Sequence, residues 1–363
     1  MNVLIDILIL IYAALFLIEI LLILLFGLNF QNSSKLQSDE PKVTLLICAR
    51  NEENNLNRCL DSILKLDYPK DQIEVLIGDD NSEDSTWSII KKYSAKYSYI
   101  KGVRIEHEKE GIIAKANVLN QLIDLTEDEF QVIIDADMAV SPQWLHTMVG
   151  ALQENHMVSG YTQIASGGGL SHVQFFDWQT VLHTMKTMAD AFRPISILGN
   201  NMGFRKSAYD QVGGFRALGP TDVEDLGLLQ LFQKAGLKTS QIIDARGYAQ
   251  TQPQLTWAEL MIQRCRWMNG VFTHHWLLAL PAFFARLWLV FAVIGFFMNP
   301  ELGGSILLYA YFTSCVKYLW INRLCGKRPK LFLYEPVFIS LLDTFALLRI
   351  LVKGKVSWKG RKF

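Results

Sequence analysis

The chain has 363 residues, and its 35 Lys+Arg are balanced by 35 Asp+Glu, so no net charge points to nucleic acid or another charged partner. Hydrophobic residues make up 50% of it, concentrated at the two ends, while the middle has the composition of an ordinary soluble domain. The five cysteines (Cys48, Cys59, Cys265, Cys315, Cys325) show no paired spacing, which argues against a disulfide framework or a zinc site and fits reduced thiols facing the cytosol.

Residues 3–28 are almost unbroken apolar sequence, interrupted by Asp6 and Glu19. At about 1.5 Å per residue the stretch is long enough to cross a bilayer. It lacks a basic n-region and a small-residue cleavage site, so residues 1–30 read as a retained transmembrane helix. Glu19, deep in that span, is expected to face another helix or a polar cavity, or to reach an interface through tilt. A polar linker, 31–41, follows.

The soluble part opens with Val43–Cys48, a buried-strand pattern, and then Ala49-Arg50-Asn51-Glu52-Glu53-Asn54. Leu56, Leu60, Ile63 and Leu64 at helical spacing predict an amphipathic helix. A second strand, Ile73–Ile77, ends in Gly78-Asp79-Asp80, with a helix expected from Trp87. Next come a short strand near Val103–Ile105, a loop with Gly111, and a helix from Ala114 to Leu122. The apolar run Val132-Ile133-Ile134 then stops abruptly at Asp135 and Asp137. Strand, loop and helix at this rhythm predict βαβ units and a mainly parallel sheet, whose ligands bind outside the carboxyl ends of the strands.

Two neighbouring carboxylates repel unless something positive joins them. A hard divalent cation bridging diphosphate oxygens meets that need, although an acidic surface turn would have the same sequence. Neither Gly-x-Gly-x-x-Gly nor a Walker lysine motif is present, so nucleotide recognition would rest on side chains at strand ends.

Further along, Leu198-Gly199-Asn200-Asn201 and Val212-Gly213-Gly214-Phe215 precede an acidic cluster, Asp222-Val223-Glu224-Asp225, at the start of an apolar helix. Helix capping would explain that cluster as well as chemistry would. Gln263-Arg264-Cys265-Arg266-Trp267 lies on an amphipathic helix expected from near Thr256, where arginines and tryptophan also suit an interfacial anchor.

Residues 276–298 and 302–320 are apolar enough to span, with a turn at Asn299-Pro300, and the basic loop after them (Arg323, Lys327, Arg328, Lys330) reads as cytoplasmic. Residues 333–352 carry Glu335, Pro336, Asp343 and Arg349 and precede a basic tail, which favours an interfacial or re-entrant segment over a fourth span. The seven histidines show no ligand spacing. Gly167-Gly168-Gly169 reads as a turn or a lid, and Phe175, Phe176 and Trp178 as an acceptor entrance or core.

Taken in order, Ala49-Arg50-Asn51-Glu52, Asp79-Asp80, Asp135-Ala136-Asp137, Glu224-Asp225 and Gln263-x-x-Arg266-Trp267 resemble the motif set of the membrane-bound family 2 glycosyltransferases. The match runs from about Val43 to Trp267. It implies an α/β fold of the GT-A type: a Rossmann-like, mainly parallel cytosolic domain with N- and C-terminal transmembrane helices. On that resemblance 41–255 is the catalytic domain and 256–275 an interfacial helix. Residues 276–352 form C-terminal membrane helices, and 353–363 a basic cytoplasmic tail.

The resemblance also assigns roles. Ala49, Arg50, Glu52, Asp79 and Asp80 match the pocket for base and ribose, and Lys115 a family lysine near the nucleotide. Asp135 and Asp137 match the DxD motif that contacts the nucleotide sugar and a Mg²⁺ or Mn²⁺ ion. Asp225, with Glu224 beside it, matches the catalytic base, while Gln263, Arg266 and Trp267 match a motif lining the diphosphate and acceptor side near the membrane. By analogy alone, Asn200 and Asn201 are candidates for bonding donor sugar or acceptor.

The ending Val356-Ser357-Trp358-Lys359-Gly360-Arg361 is similar to that of ceramide glucosyltransferases and related bacterial lipid glycosyltransferases. The expected activity is therefore inverting transfer of a sugar from a UDP-type donor to a membrane lipid hydroxyl. The enzyme would be an integral protein of a bacterial inner membrane, its catalytic domain cytoplasmic. A processive polysaccharide synthase is the alternative, because Gln263-x-x-Arg266-Trp267 is the form shared with such enzymes. From another class comes a catalytically inactive nucleotide-binding membrane scaffold. A phosphoryl or nucleotidyl transferase lacks the phosphate loop it needs.

Overall fold

The computed structural model describes residues 2–30, 40–105, 107–108, 111–165, 167–221, 223–274, 285–324, 334–353, 357–358 and 361–362. The chain divides into two compact units. A helical unit comprises Met1–Asn29, Ile164–Thr187 and Pro253–Phe363, and a sheet unit comprises Phe30–Gln163 and Met188–Gln252.

In the sheet unit the elements are β1 (Val43–Ala49), α2 (Leu56–Leu64), β2 (Ile73–Asp79), α3 (Thr86–Lys96), β3 (Ile100–Arg104), α4 (Ala114–Ile123) and β4 (Phe130–Asp135). They continue with β5 (Met138–Val140), α5 (Trp144–Glu154), β6 (Met157–Ser159) and β7 (Tyr161–Ile164). After α6 (Leu170–Ala191) come β8 (Asn201–Arg205), α7 (Lys206–Gln211), α8 (Glu224–Lys234), β9 (Thr239–Gln241) and β10 (Tyr248–Thr251).

The main sheet has the order β3-β2-β1-β4-β8-β6-β9. β3, β2, β1 and β4 pair in parallel, as expected, whereas β8 runs antiparallel to both β4 and β6. The strands are apolar without alternation because both faces are covered. Leu45, Ile47, Val75 and Val132 join one core with α2, α3 and α5. Leu46, Leu76 and Ile133 face the other, with α4, α7 and α8. Each such fully buried aliphatic side chain contributes about 1.5–3 kcal/mol. At Gly78 a Cβ would come within 2.4 Å of Val118, so only glycine lets β2 lie this close to α4.

β3 begins earlier than the expected Val103–Ile105. Its register with β2, from Val75↔Ile100 to Asp79↔Arg104, recruits Lys101 and Gly102, whose side chains carry no strand signal.

The helical unit holds α1 (Asn2–Asn29), most of α6, α9 (Trp257–His274), α10 (Trp288–Met298), α11 (Pro300–Leu324) and α12 (Glu335–Lys353). Among the described residues, Ile5–Asn29 is the helix long and apolar enough to cross a membrane, and Trp288–Met298 is a shorter apolar helix. The expected turn at Asn299-Pro300 is present, with Asn299 extended and Pro300 opening α11. Residues 275–284 and 325–333, parts of the expected spans and basic loop, lie outside the described residues. The 333–352 segment is helical from Glu335 onward.

Glu19 does face another helix, where it pairs with Lys317 of α11. α9 starts with a reciprocal cap: Thr256 Oγ1 accepts the Glu259 N–H at 3.2 Å and Glu259 accepts the Thr256 N–H at 3.1 Å. A closed ring of ion pairs ties four parts of this unit. Asp177 of α6 binds Arg264 of α9 and, at 2.7 Å, Arg286. Asp343 of α12 binds the same two guanidiniums at 3.2 and 2.6 Å. Phe175 and Phe176 are core, packed on Tyr318. His172 pairs with Glu335, and His183 packs on Phe26.

Candidate functional site

The carboxyl ends of β2, β1 and β4 stand side by side. Register places Ala49 opposite Asp79 and Cys48 opposite Asp135. The chain order reverses between β1 and β4, the place where an open α/β sheet leaves a crevice.

On the β1/β2 side the loops after the two strands are zipped together. Asn51 N–H donates to Ser82 Oγ at 3.0 Å, and Asn51 Oδ1 accepts the Glu83 N–H at 3.0 Å. Glu53 and Asp84 exchange the same kind of bond with the facing backbone. The buried Glu52 donates its N–H to Thr86 Oγ1 at 2.7 Å and accepts from the Asn55 side chain at 2.8 Å. Asn51 and Asn81 both have φ of 53°, a left-handed turn conformation that asparagine tolerates. Arg50 and Asp80 form an ion pair at 3.3 Å.

Asp79 differs from its neighbours. It is fully buried, and neither carboxylate oxygen has a hydrogen-bond partner among the described residues. The guanidinium of Arg104 comes no closer than 3.9 Å. A buried carboxylate in that state is costly and lacks a donor group.

On the β1/β4 side the charges crowd. Asp135 ends β4 and Asp137 sits in the tight turn to β5. Lys115, in the first turn of α4, binds Asp135 Oδ1 at 2.5 Å and the Gly199 carbonyl at 2.8 Å, and lies 3.8 Å from Glu224. The Gly199 N–H donates to Asp225 Oδ2 at 2.9 Å, and the Leu226 N–H donates to the other Asp225 oxygen at 2.7 Å. Gly199 is therefore a relay between Lys115 and Asp225. A Cβ there would sit 2.6 Å from the Asp225 carboxylate, so no larger residue fits.

Burial pushes the Glu224 carboxyl up to about 7, with Lys115 opposing and Asp225 reinforcing the shift. Burial raises the Asp225 carboxyl as well. For Lys115 burial works against the charge, but Asp135 and Glu224 outweigh it and hold the ammonium firmly protonated.

Of the residues expected to form the site, Ala49, Arg50, Glu52, Asp79, Asp80, Lys115, Asp135, Asp137, Glu224 and Asp225 all belong to the sheet unit. Gln263, Arg266 and Trp267 lie on α9 in the helical unit, where Trp267 packs on Trp178 at 5.6 Å and under Arg264 at 5.5 Å. Asn201 is fully buried and its amide is committed to Trp144 and Thr162, which makes it structural, while Asn200 stays half-buried.

Three residues escape the sequence reading. Arg58 of α2 donates to the Asp137 carbonyl and, at 3.3 Å, to that of Gln250, fixing the DxD turn. Cys48 lies within electrostatic reach of Lys115, Asp80, Asp135 and Glu224, and burial raises its thiol pKa. Gly199 is the third. An arginine in an amphipathic helix, a strand-end cysteine and a lone glycine carry no signal until register and packing bring them to the crevice.

Among the described residues no three His, Cys, Asp or Glu side chains are grouped to hold a metal ion by themselves. The oxygen-only pair Asp135 and Asp137 still fits Mg²⁺ or Mn²⁺, which take one or two carboxylates and complete their shell with waters and substrate phosphates.

Comparison with known proteins gives a consistent outcome. The chain is 27% identical over 238 residues to a probable glycosyltransferase, YdaM, of Bacillus subtilis, covering 63% of this chain and 55% of that protein. It is 29% identical over 245 residues to the beta-monoglucosyldiacylglycerol synthase of a Synechocystis strain, covering 63% and 48%. Poly-beta-1,6-N-acetyl-D-glucosamine synthase of Staphylococcus epidermidis is 28% identical over 178 residues, covering 47% and 41%. The chain thus spans about half the length of the curated relatives it matches. In fold it is similar to the mannosyltransferase PcManGT of Pyrobaculum calidifontis, solved with GDP-Man and Mn²⁺, at a TM-score of 0.61 and 17% identity over 96% of this chain and 99% of that one. The family described as Glycosyl transferase family 21 matches residues 4–363, and the chain belongs to it.

Proposed function

We propose that the chain transfers a sugar from a UDP-type nucleotide sugar to a membrane lipid hydroxyl, with inversion at the anomeric carbon. The observation that carries this reading is the contact set of Lys115. One ammonium joins the donor-side carboxylate Asp135 to the carboxylate Glu224, and through Gly199 to Asp225. Acidic groups some 90 positions apart therefore share one crevice.

In this reading Asp79 supplies the buried acceptor for an N–H or O–H of the nucleoside, which satisfies its unpaired oxygens. The partly exposed Arg50 and the buried Asp80 beside it complete the nucleoside pocket. Asp135 and Asp137 would hold Mg²⁺ or Mn²⁺, which when bound neutralises charge on the leaving diphosphate. The acceptor oxygen bonds to the anomeric carbon as the bond to the diphosphate oxygen breaks, and its proton passes to Asp225. Two backbone N–H bonds orient that carboxylate, and its remaining lone pairs are available to the incoming hydroxyl. One base and no covalent intermediate give a single displacement.

A lipid acceptor is supported by the apolar helix Ile5–Asn29 and by a relative named for monoglucosyldiacylglycerol synthesis. The polysaccharide synthase among the relatives keeps polymerisation as the second reading. Incubating the purified protein with labelled UDP-sugars, Mn²⁺ and diacylglycerol- or ceramide-containing vesicles tests both. Labelled glycolipid is the expected product. Label in a growing polymer with none in lipid would establish the second reading, and no turnover alongside retained UDP binding would point to a scaffold.

A further inference from the structure

The crevice carries Asp135, Glu224 and Asp225, with Asp137 two residues beyond Asp135, and Lys115 contacts the first two directly and Asp225 through Gly199. Two of the three ammonium hydrogens are committed, one to Asp135 and one to the Gly199 carbonyl, with Glu224 on the remaining side. Asp135 thus already has a cation. Asp137 has one nearby as well, since it lies within electrostatic reach of Arg58. A divalent ion reaching Asp135 would meet a carboxylate that already holds an ammonium on Oδ1, and two cations on one carboxylate repel in a partly buried site.

The backbone places Lys115 there under strain. Ala114, the residue before it and the first of α4, has φ of 55°, a left-handed conformation that costs a non-glycine residue energy. Such strain persists only where the surroundings impose it.

We propose that Lys115 is the resident counter-cation of the donor crevice: it holds Asp135 and Glu224 together, and gives up Asp135 only when a divalent cation arrives together with a nucleoside diphosphate. The diphosphate provides the displaced ammonium with a new anionic partner, so the exchange leaves no charge uncompensated. A bare divalent cation offers no such partner and binds weakly. Cation and diphosphate therefore bind cooperatively, and Lys115 is the source of the coupling. This rests on the reading of the crevice as a nucleotide-sugar site, but its central consequence concerns the metal alone.

The test uses the full-length protein in detergent, with Mn²⁺ binding followed by electron paramagnetic resonance and UDP binding by calorimetry with Mn²⁺ present. Lys115→Gln should bind Mn²⁺ alone about tenfold more tightly than the wild type and UDP about tenfold more weakly, within the 5–150-fold range of coupled sites. Lys115→Arg, which keeps the charge, should keep the weak binding of bare Mn²⁺. Lys115→Met provides the same reading if the glutamine variant does not fold. Unchanged or weaker Mn²⁺ binding in the neutral variants, or equal tightening in Lys115→Arg, would overturn the proposal. Failure of the wild type to bind UDP would instead remove the nucleotide reading, leaving the Mn²⁺ comparison to judge Lys115 by itself.

Discussion

The two halves of the crevice solve different problems. Where β1 and β2 end, the loops are joined by backbone-to-side-chain bonds and one ion pair, Arg50–Asp80, while the buried carboxylate of Asp79 lacks a hydrogen-bond partner among the described residues. Where β1 and β4 end, one ammonium restrains several carboxylates, and burial raises the Glu224 and Asp225 carboxyls. In the proposed reading the first half recognises the nucleoside, since its loops are held by bonds formed before anything binds and Asp79 awaits a donor. The second is built for exchange, since its charges balance only through a side chain that another cation can replace. Substitutions in the second half should accordingly damage turnover far more than stability, and those in the first half the reverse.

The largest effect is expected at Asp225. Asp225→Asn removes the proton acceptor but keeps the shape, and should lower kcat by about 10²–10⁴-fold while UDP affinity changes little. An Asp225→Asn enzyme that turns over normally would place the base elsewhere. Gly199→Ala should come next, because its methyl would press on the Asp225 carboxylate. A displacement of about 1 Å in such a group costs on the order of 10²-fold, measured as kcat with the melting temperature as control.

A third effect is read in the pH profile. A base must be ionised to work, and burial raises the Asp225 carboxyl above its ordinary value. The acid limb of kcat should therefore lie above the usual carboxylate range of about 4. Glu224→Gln removes a like charge beside Asp225 and should move that limb to lower pH. A limb that stays in place would show that the pair does not govern it. The smallest effect belongs to the wall formed by the β1 and β2 loops. Ser82→Ala deletes the acceptor for the Asn51 N–H and should cost about 0.5–1.5 kcal/mol in denaturant unfolding, with kcat near wild type.

What could be read beforehand follows the same division. Strand ends with acids after a β-branched run were visible at Asp79 and Asp135, because periodicity and composition act over a few neighbouring residues. The helix expected from Trp87, which starts one residue earlier at Thr86, and the helix starts at Ala114 and Glu224 were visible for the same reason. Residues whose meaning depends on pairing were not. Gly199 acquires its role from Asp225, Arg58 from the Asp137 carbonyl, and β8 its antiparallel direction from β4. β6 and β9 are three residues long, too short to carry a pattern at all. The family resemblance marks Lys115, while its bond to Asp135 arises only when α4 packs on the sheet.

The ring of Asp177, Arg264, Arg286 and Asp343 has a consequence for how the helical unit comes together. Its four members sum to zero, as does each Asp–Arg pair within it, and each is buried or half-buried. Any three leave one uncompensated ion in a medium that penalises it by several kcal/mol. An assembly that lacks one of α6, the Arg286 segment, α9 and α12 is thereby disfavoured, so any three of these parts favour the arrival of the fourth, a checkpoint against a bundle one member short.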